Sequence, residues 1–540
     1  MLKKLLYFKS SLLGGGLISL GLLSFASLLF FTLFFAQESE SLSQIDDRIV
    51  SLLEFTLYQA FLSTILSLFV GLLLAWSLTH QSRFKGRSFL IAIFSSSLVL
   101  PTLVVVFGLI TVLGRNGWIN QLSLYLFDHS FGAYLYGLFG ILIAHVYLNA
   151  SFASRSLLHA LEAIPKEKYK LAKSLNFSTF QRFWYIEFPA IKSTLLNIAS
   201  TIFLLCFSSF AIVLVLGGSP SYNTLEVAIY EAVKLDFDIS MALKLALIQL
   251  SISSVLVMSA SSVKSSNSNL KVNSQNIPWK ESKLLSYFQK TIIVLFTLFF
   301  TLPLVAIFLD GVDADFPKIL SNKLFIESFF TSLSLATISA LLTLVFALSL
   351  SGFLRNFSLN SRLKNHTLSK FIHTVVSFSG YLYLAIPSLI LGLGFFLLSQ
   401  QYELPNEIWS AIALITANVL MSLPFALSIL TPAMKNIAER YDKVSFSLGL
   451  TKSQRFFYVE FPYLRATLGY IFALSFCFSL GDLGVIALFG SDDFSTLPWY
   501  LYQLMGSYRN EDASGVALIL LGITLFSFLV LPKIFNKFRY

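Results

Sequence analysis

Long apolar runs, recurring from one end of the chain to the other, constrain the fold more than any other feature of this sequence. Many of them reach the ~20 residues that carry an α-helix across a bilayer. Of the 540 residues, 56% are hydrophobic and only 12% are charged, against roughly 25% charged in a soluble domain. Inside hydrocarbon every backbone polar group needs an internal partner, so only helices and closed barrels span it. The short alternating segments of a barrel are missing from the sequence, which therefore reads as an all-α, polytopic membrane protein. No polar stretch is long enough to fold as a separate soluble domain.

About twelve spans follow, near 12–35, 55–79, 88–113, 132–153, 191–216, 241–262, 288–309, 325–353, 371–399, 408–431, 464–489 and 514–531. Pro101 and Pro387 fall inside the third and ninth, where a missing backbone donor is expected to kink the helix. The first run follows Lys3, Lys4 and Lys9; it is longer than the ~7–15 residues of a signal-peptide core and reads as an uncleaved span. A Ser-, Asn- and Lys-rich segment, 263–287, joins a first transmembrane domain, 1–262, to a second, 288–540.

The net charge is +10. Its basic residues gather at the ends of alternate runs, where they set topology, so no nucleic-acid-binding role follows from it. The positive-inside rule then places both termini, the joining segment and the two polar elements described next in the cytoplasm. Cys206 and Cys477 both lie in apolar runs and suggest neither a disulfide framework nor a metal site.

The two polar elements, 154–190 and 432–463, carry one stretch in duplicate. Residues 175–189 read Leu-Asn-Phe-Ser-Thr-Phe-Gln-Arg-Phe-Trp-Tyr-Ile-Glu-Phe-Pro, and 273 residues later 448–462 read Leu-Gly-Leu-Thr-Lys-Ser-Gln-Arg-Phe-Phe-Tyr-Val-Glu-Phe-Pro. Asn176 and Gly449 occupy the same place, and these two residue types best tolerate the left-handed conformation that ends a helix. Ser178 with Gln181, and Thr451 with Gln454, fit a capping box that restarts one. Each element is thus expected to be a helix (165–175 or 438–448), a turn and a second helix that returns into the membrane at Pro189 or Pro462. The repeats are parallel, six spans each. Glu187 and Glu460 are placed to pair locally with Arg182 and Arg455 or to meet a partner.

These residues resemble the cytoplasmic "EAA" loop of binding-protein-dependent ABC importer permeases, a Gly followed at fixed spacing by Ile-x-Leu-Pro. Asn176, Ile186 and Pro189 match that spacing, as do Gly449, Val459 and Pro462. The Glu-Ala-Ala triplet itself is replaced by Lys170-Leu171-Ala172 and Lys443-Val444-Ser445. The fused two-half form is similar to the ferric-iron and thiamine permeases. The stretches Leu480-Gly481-Asp482-Leu483-Gly484, Gly506-Ser507-Tyr508-Arg509 and Phe207-Ser208-Ser209-Phe210-Ala211 look most like the thiamine permeases of Gram-negative bacteria.

The resemblance implies the type I ABC importer fold and an inner-membrane subunit that imports thiamine and its phosphate esters. It implies two copies of a separate ATPase, which would bind ATP and Mg, a periplasmic thiamine-binding protein, and no cofactor in this chain. Lys170, Ala172, Asn176, Glu187 and Pro189, with Lys443, Ser445, Gly449, Glu460 and Pro462, would form the ATPase-coupling elements. The chain has no Gly-x4-Gly-Lys-Ser/Thr phosphate loop, which agrees with a separate ATPase. A ferric-iron permease is the alternative within the class. An ion-gradient transporter would more often show inverted repeats and buried mid-membrane charges. No paired carboxylates, metal-ligand spacing or nucleophile constellation in the spans suggests an enzyme.

Four polar residues inside spans are candidates for the substrate path. Asp482 is an ionisable group in an apolar run and would favour a thiazolium cation, or else cap a helix break between Gly481 and Gly484. His145 and Asn418 are equivalent under the 273-residue offset, and Asn149 lies one turn beyond His145. They would face a polar path or hydrogen-bond between helices.

Overall fold

The computed structural model describes residues 2–35, 46–261, 279, 281–359, 367–402, 406–491 and 493–537. Among them every regular element is helical. In chain order these are α1 (Leu2–Phe35), α2 (Asp47–His80), α3 (Arg87–Ser95), α4 (Thr102–Leu113), α5 (Trp118–Phe127), α6 (Leu138–Glu162), α7 (Lys166–Ser174) and α8 (Thr179–Arg182). They continue with α9 (Phe188–Phe207), α10 (Ala211–Leu216), α11 (Leu225–Lys234), α12 (Ile239–Ser261), α13 (Lys283–Val312), α14 (Phe316–Ser321), α15 (Lys323–Leu359) and α16 (Thr367–Tyr381). The last are α17 (Ser388–Gln401), α18 (Asn406–Ser447), α19 (Lys452–Arg455), α20 (Phe461–Leu480), α21 (Gly484–Phe489), α22 (Leu497–Gly506) and α23 (Asn510–Lys537).

Among the described residues, eleven helical segments are long and apolar enough to cross a membrane, or twelve when the bent pair Lys370–Leu384 and Ser388–Gln401 counts as one. The expected number of spans therefore stands, but two of them are broken outright. The pair around Pro387 bends by 93°, and the stretch expected as one span at 88–113 is divided between α3 and α4. Both breaks follow one local rule. A short 3-10 turn (Ser96–Leu98 or Leu382–Leu384) precedes a proline, and a new helix starts directly after Pro101 or Pro387. Proline cannot donate to the turn before it and disfavours helical backbone at the preceding residue, so the helix restarts.

The chain divides into two compact units, which do not run with the sequence halves 1–262 and 288–540. One unit comprises Gln44–Ala228 with Ser251–Ala314; the other comprises Met1–Ser43, Ile229–Leu250 and Asp315–Tyr540. The first helix of each half has changed places. In the first unit α13 packs on α2 and α4, the Tyr147 hydroxyl donates to the Phe300 carbonyl oxygen at 2.7 Å, and the two rings stack at 4.8 Å. In the second unit α1 packs on α15, α16 and α17, and the Tyr383 hydroxyl donates to the Leu22 carbonyl oxygen at 2.7 Å.

Small residues permit these approaches, as expected where apolar packing rather than water exclusion holds membrane helices together. A Cβ at Gly108 of α4 would lie 2.8 Å from the Pro303 carbonyl oxygen of α13, and one at Gly394 of α17 would lie 2.4 Å from a Leu29 methyl of α1. Residues 262–278 and 280, most of the joining segment expected at 263–287, lie outside the described residues; α13 begins inside that segment, at Lys283.

Candidate coupling elements

The first element starts where Pro165 ends the run of α6. A helix of nine residues, α7, then closes through two reversed bonds: Phe177 N–H to the Ala172 carbonyl at 3.0 Å and Asn176 N–H to that of Lys173 at 3.2 Å. This closure needs a left-handed residue after the helix, and Asn176 has φ +51°. Ser178 and Gln181 form the reciprocal capping box of α8, with bonds of 2.8 and 3.2 Å.

The second element repeats the turn. Leu450 N–H donates to the Ser445 carbonyl at 3.1 Å, Gly449 N–H to that of Phe446 at 3.1 Å, and Gly449 has φ +65°. Thr451 N–H donates to Gln454 Oε1 at 2.9 Å, and Gln454 N–H to Thr451 Oγ1 at 3.4 Å.

The elements differ at their start, and here the expected boundaries need correction. Residues 154–162 belong to α6, and the second leading helix, expected as a separate segment at 438–448, is the end of the 42-residue α18. Ala438 stands where the first copy has Pro165, so nothing interrupts the helix there. Pro424 and Pro432 lie within α18 without ending it.

Past each capping box the chain makes a π-helical turn, Phe183–Glu187 or Phe456–Glu460. In an α-helix, residues five apart do not face each other; the wider turn brings them together. Arg182 Nε lies 3.1 Å from Glu187 Oε1, with both side chains fully buried. Arg455 Nε donates to Glu460 Oε1 at 2.6 Å. The local pairing expected from sequence is therefore present in both copies, through a π-turn rather than α-helical spacing.

Each pair sits in a larger buried cluster. Around Glu187 are Trp76, whose Nε1 donates to it at 2.9 Å, and His80, with Nε2 at 3.1 Å from Glu187 Oε1 and Nδ1 at 2.9 Å from the Trp76 carbonyl oxygen. Glu281 lies 2.7 Å from Arg182 Nη1 and 3.5 Å from His80 Nε2. The Arg182 guanidinium also lies over the Trp279 ring, 4.9 Å from its centre. Tyr169 is buried on α7, and burial, then the Glu187 carboxylate, pushes its phenol up. Around Glu460, Arg355 Nη1 donates at 2.5 Å, and Asp442 accepts from Arg355 Nη2 at 2.7 Å and lies 3.3 Å from Arg455.

Of the residues expected to couple, Lys170, Asn176, Pro189, Lys443, Gly449 and Pro462 are exposed, whereas Ala172, Glu187, Ser445 and Glu460 are buried. Pro189 and Pro462 are the second residues of α9 and α20, directly after the π-turns. Sequence reasoning passed over four apolar positions. Leu171 and Leu175 are 61% and 58% exposed, and their equivalents Val444 and Leu448 are 55% and 69% exposed. Each pair is spaced i, i+4 and faces outward on one side of its leading helix. Leu171 and Val444 were in view as parts of the replaced triplet; the matched offset was the signal that could have found both pairs.

The path candidates all have partners within their own unit. His145 Nδ1 pairs with Ser63 Oγ at 2.8 Å, and Asn149 Nδ2 lies 3.3 Å from Cys206 Sγ. Asn418 Nδ2 donates to Ser479 Oγ at 2.8 Å. Asp482 accepts from the N–H groups of Gly484 at 3.2 Å and Val485 at 3.4 Å, at the start of α21.

Two stretches of the chain, 67–263 and 362–538, match the family described as "Binding-protein-dependent transport system inner membrane component". The chain belongs to this family. Each matched stretch contains one of the duplicated elements, and the all-α, twice-repeated architecture is the type I permease fold. The permease is a transport subunit and not an enzyme. It is 38% identical to the thiamine transport system permease protein ThiP of Haemophilus influenzae, over 90% of this chain and 89% of that one. It is 37% identical to ThiP of Escherichia coli, over 91% and 90%. A shorter match, 31% identical over 32% of the permease and 75% of the relative, is to the molybdenum transport system permease protein ModB of Azotobacter vinelandii.

Proposed function

We propose that the permease is the membrane subunit of an ATP-driven importer that carries thiamine, and its phosphate esters, across the bacterial inner membrane. A periplasmic binding protein delivers the substrate. Two copies of a separate ATPase, which hold ATP and Mg, dock on the two duplicated elements, and both chain termini lie on that cytoplasmic side. The relatives named for thiamine transport support the substrate, since the likeness covers about nine-tenths of the chain.

One observation carries the coupling role: the outward apolar pairs Leu171–Leu175 and Val444–Leu448 fall at the same positions of both copies. A duplicated apolar pair beside a rigid left-handed turn suits two copies of one partner bound alike. Closure of the ATPase pair would then push on α7 and the end of α18. The buried π-turn clusters would pass that push to α9 and α20. For the substrate path, the backbone bonds of Asp482 favour the capping role over a charge offered to the cation.

The test is ATP hydrolysis by the purified complex in nanodiscs with its binding protein. Thiamine-loaded binding protein is expected to raise the rate several-fold above the binding protein alone. No stimulation by thiamine or its phosphates would overturn the substrate. Stimulation by ferric ion instead would move the assignment to iron.

A further inference from the structure

The two buried clusters are alike in plan, but differ in composition and in the sources of their members. Each has two basic side chains and two carboxylates: Arg182, His80, Glu187 and Glu281 in one, Arg455, Arg355, Glu460 and Asp442 in the other. The pairs Arg182–Glu187 and Arg455–Glu460 are equivalent under the repeat. The remaining members are not. Asp442 comes from the leading helix of its own element, whereas the first element has Tyr169 at that position. The missing carboxylate is Glu281, which comes from the segment joining the two halves.

Charge balance explains why this matters. A buried guanidinium needs a compensating partner, and removing one member of such a group leaves an uncompensated charge out of water. Arg182 is fully buried, and Glu187 already meets Trp76 and His80. Glu281, with a side chain only 6% exposed, supplies the second carboxylate. Trp279 covers the guanidinium from the same segment. Just beyond, Gln81 at the end of α2 donates to Gln289 Oε1 at 2.8 Å and Ser286 Oγ at 3.0 Å on α13. The end of the joining segment is thus fastened to the first element by charge, ring and amide in succession.

We propose that Trp279 and Glu281 form a clasp that holds the first coupling element in register, so that this element depends on the joining segment while the second supports itself through Asp442. Glu281 is a positioning residue that acts through Arg182. The functional part of the proposal, though not the clasp itself, rests on the coupling role proposed above.

The experiment is amide hydrogen exchange on the full chain in nanodiscs, without ATPase or substrate, followed over 166–187 and 439–460. Glu281→Gln is expected to speed exchange in 166–187 by at least about tenfold while leaving 439–460 unchanged, because the buried guanidinium loses its second carboxylate. Asp442→Asn is expected to do the converse, and Glu281→Asp to restore most of the protection. Unchanged exchange in Glu281→Gln, or an equal rise in both elements, would overturn the clasp. Should Glu281→Gln fail to fold, Trp279→Ala reads the same segment more gently, with the same two outcomes. In the assembled importer, Glu281→Gln is expected to lower substrate moved per ATP at least about threefold, through the same loss of a buried partner. Loosened exchange with an unchanged ratio would overturn the functional part and leave the clasp standing.

Discussion

Arg455 and Glu460 stand five residues apart in the chain and meet at 2.6 Å, because the turn between them is π-helical. The same turn recurs between Arg182 and Glu187. A π-turn is uncommon, occurs mostly as a single turn inside an α-helix, and is frequent at functional sites. Here it closes a buried ion pair within the returning segment of each element, on which the leading helix packs through Tyr169 or Asp442.

That pair should be costly to break. The Arg355, Arg455 and Glu460 side chains are only 3%, 4% and 8% exposed, and loss of one partner from a buried ion pair costs about 3–5 kcal/mol. Glu460→Gln is therefore expected to lower the melting temperature of the purified permease clearly, and Glu460→Asp to lower it less. Equal melting of Glu460→Gln and wild type would show that the pair contributes little.

The outward apolar pairs should matter for assembly and not for folding. Burying a Leu side chain at an interface contributes about 1.5–3 kcal/mol. Leu171→Asp together with Leu448→Asp should leave the melting temperature in place and weaken capture of the ATPase by at least about tenfold. Titration of labelled ATPase onto permease nanodiscs checks this. Unaltered affinity would remove these residues from the docking face.

The two left-handed turns invite opposite substitutions. A Cβ added at Gly449 meets nothing within 4 Å, so Gly449→Ala isolates the backbone cost, about 1 kcal/mol. Asn already tolerates the left-handed conformation at the equivalent turn, so Asn176→Gly should be close to neutral. Chemical or thermal denaturation of both variants provides the measurement; destabilisation by Asn176→Gly would contradict the turn geometry.

Asp482 offers a test of capping against charge. Asn serves as well as Asp in accepting from the first N–H groups of a helix, whereas Ala loses about 1 kcal/mol. Asp482→Asn should therefore keep thiamine uptake within about twofold of wild type, while Asp482→Ala lowers both stability and uptake. A collapse of uptake in Asp482→Asn at normal expression would restore the carboxylate to the substrate path.

Much of this was legible in the sequence because it is local. The spans, the left-handed turns at Asn176 and Gly449 and both capping boxes rest on neighbours within a few residues. Pairing of Arg182 with Glu187 was visible as proximity, but the π-turn that achieves it was not, since no residue type specifies it. The partners brought from afar were also hidden: nothing near His80, Arg355 or Glu281 in the sequence ties them to Arg182, Glu187, Arg455 or Glu460. Each acquires its meaning only when helices distant in sequence converge. The continuity of α18 could have been inferred by setting Ala438 against Pro165.

The exchanged first helices have a consequence for biosynthesis. The unit that contains most of the first half cannot be completed until the ribosome has passed Val312, because α13 belongs to it, and α1 waits in the bilayer for neighbours made much later. Membrane insertion and tertiary assembly are therefore out of step along this chain. A polypeptide stopped at the joining segment would hold six inserted spans and still lack one wall of its own unit.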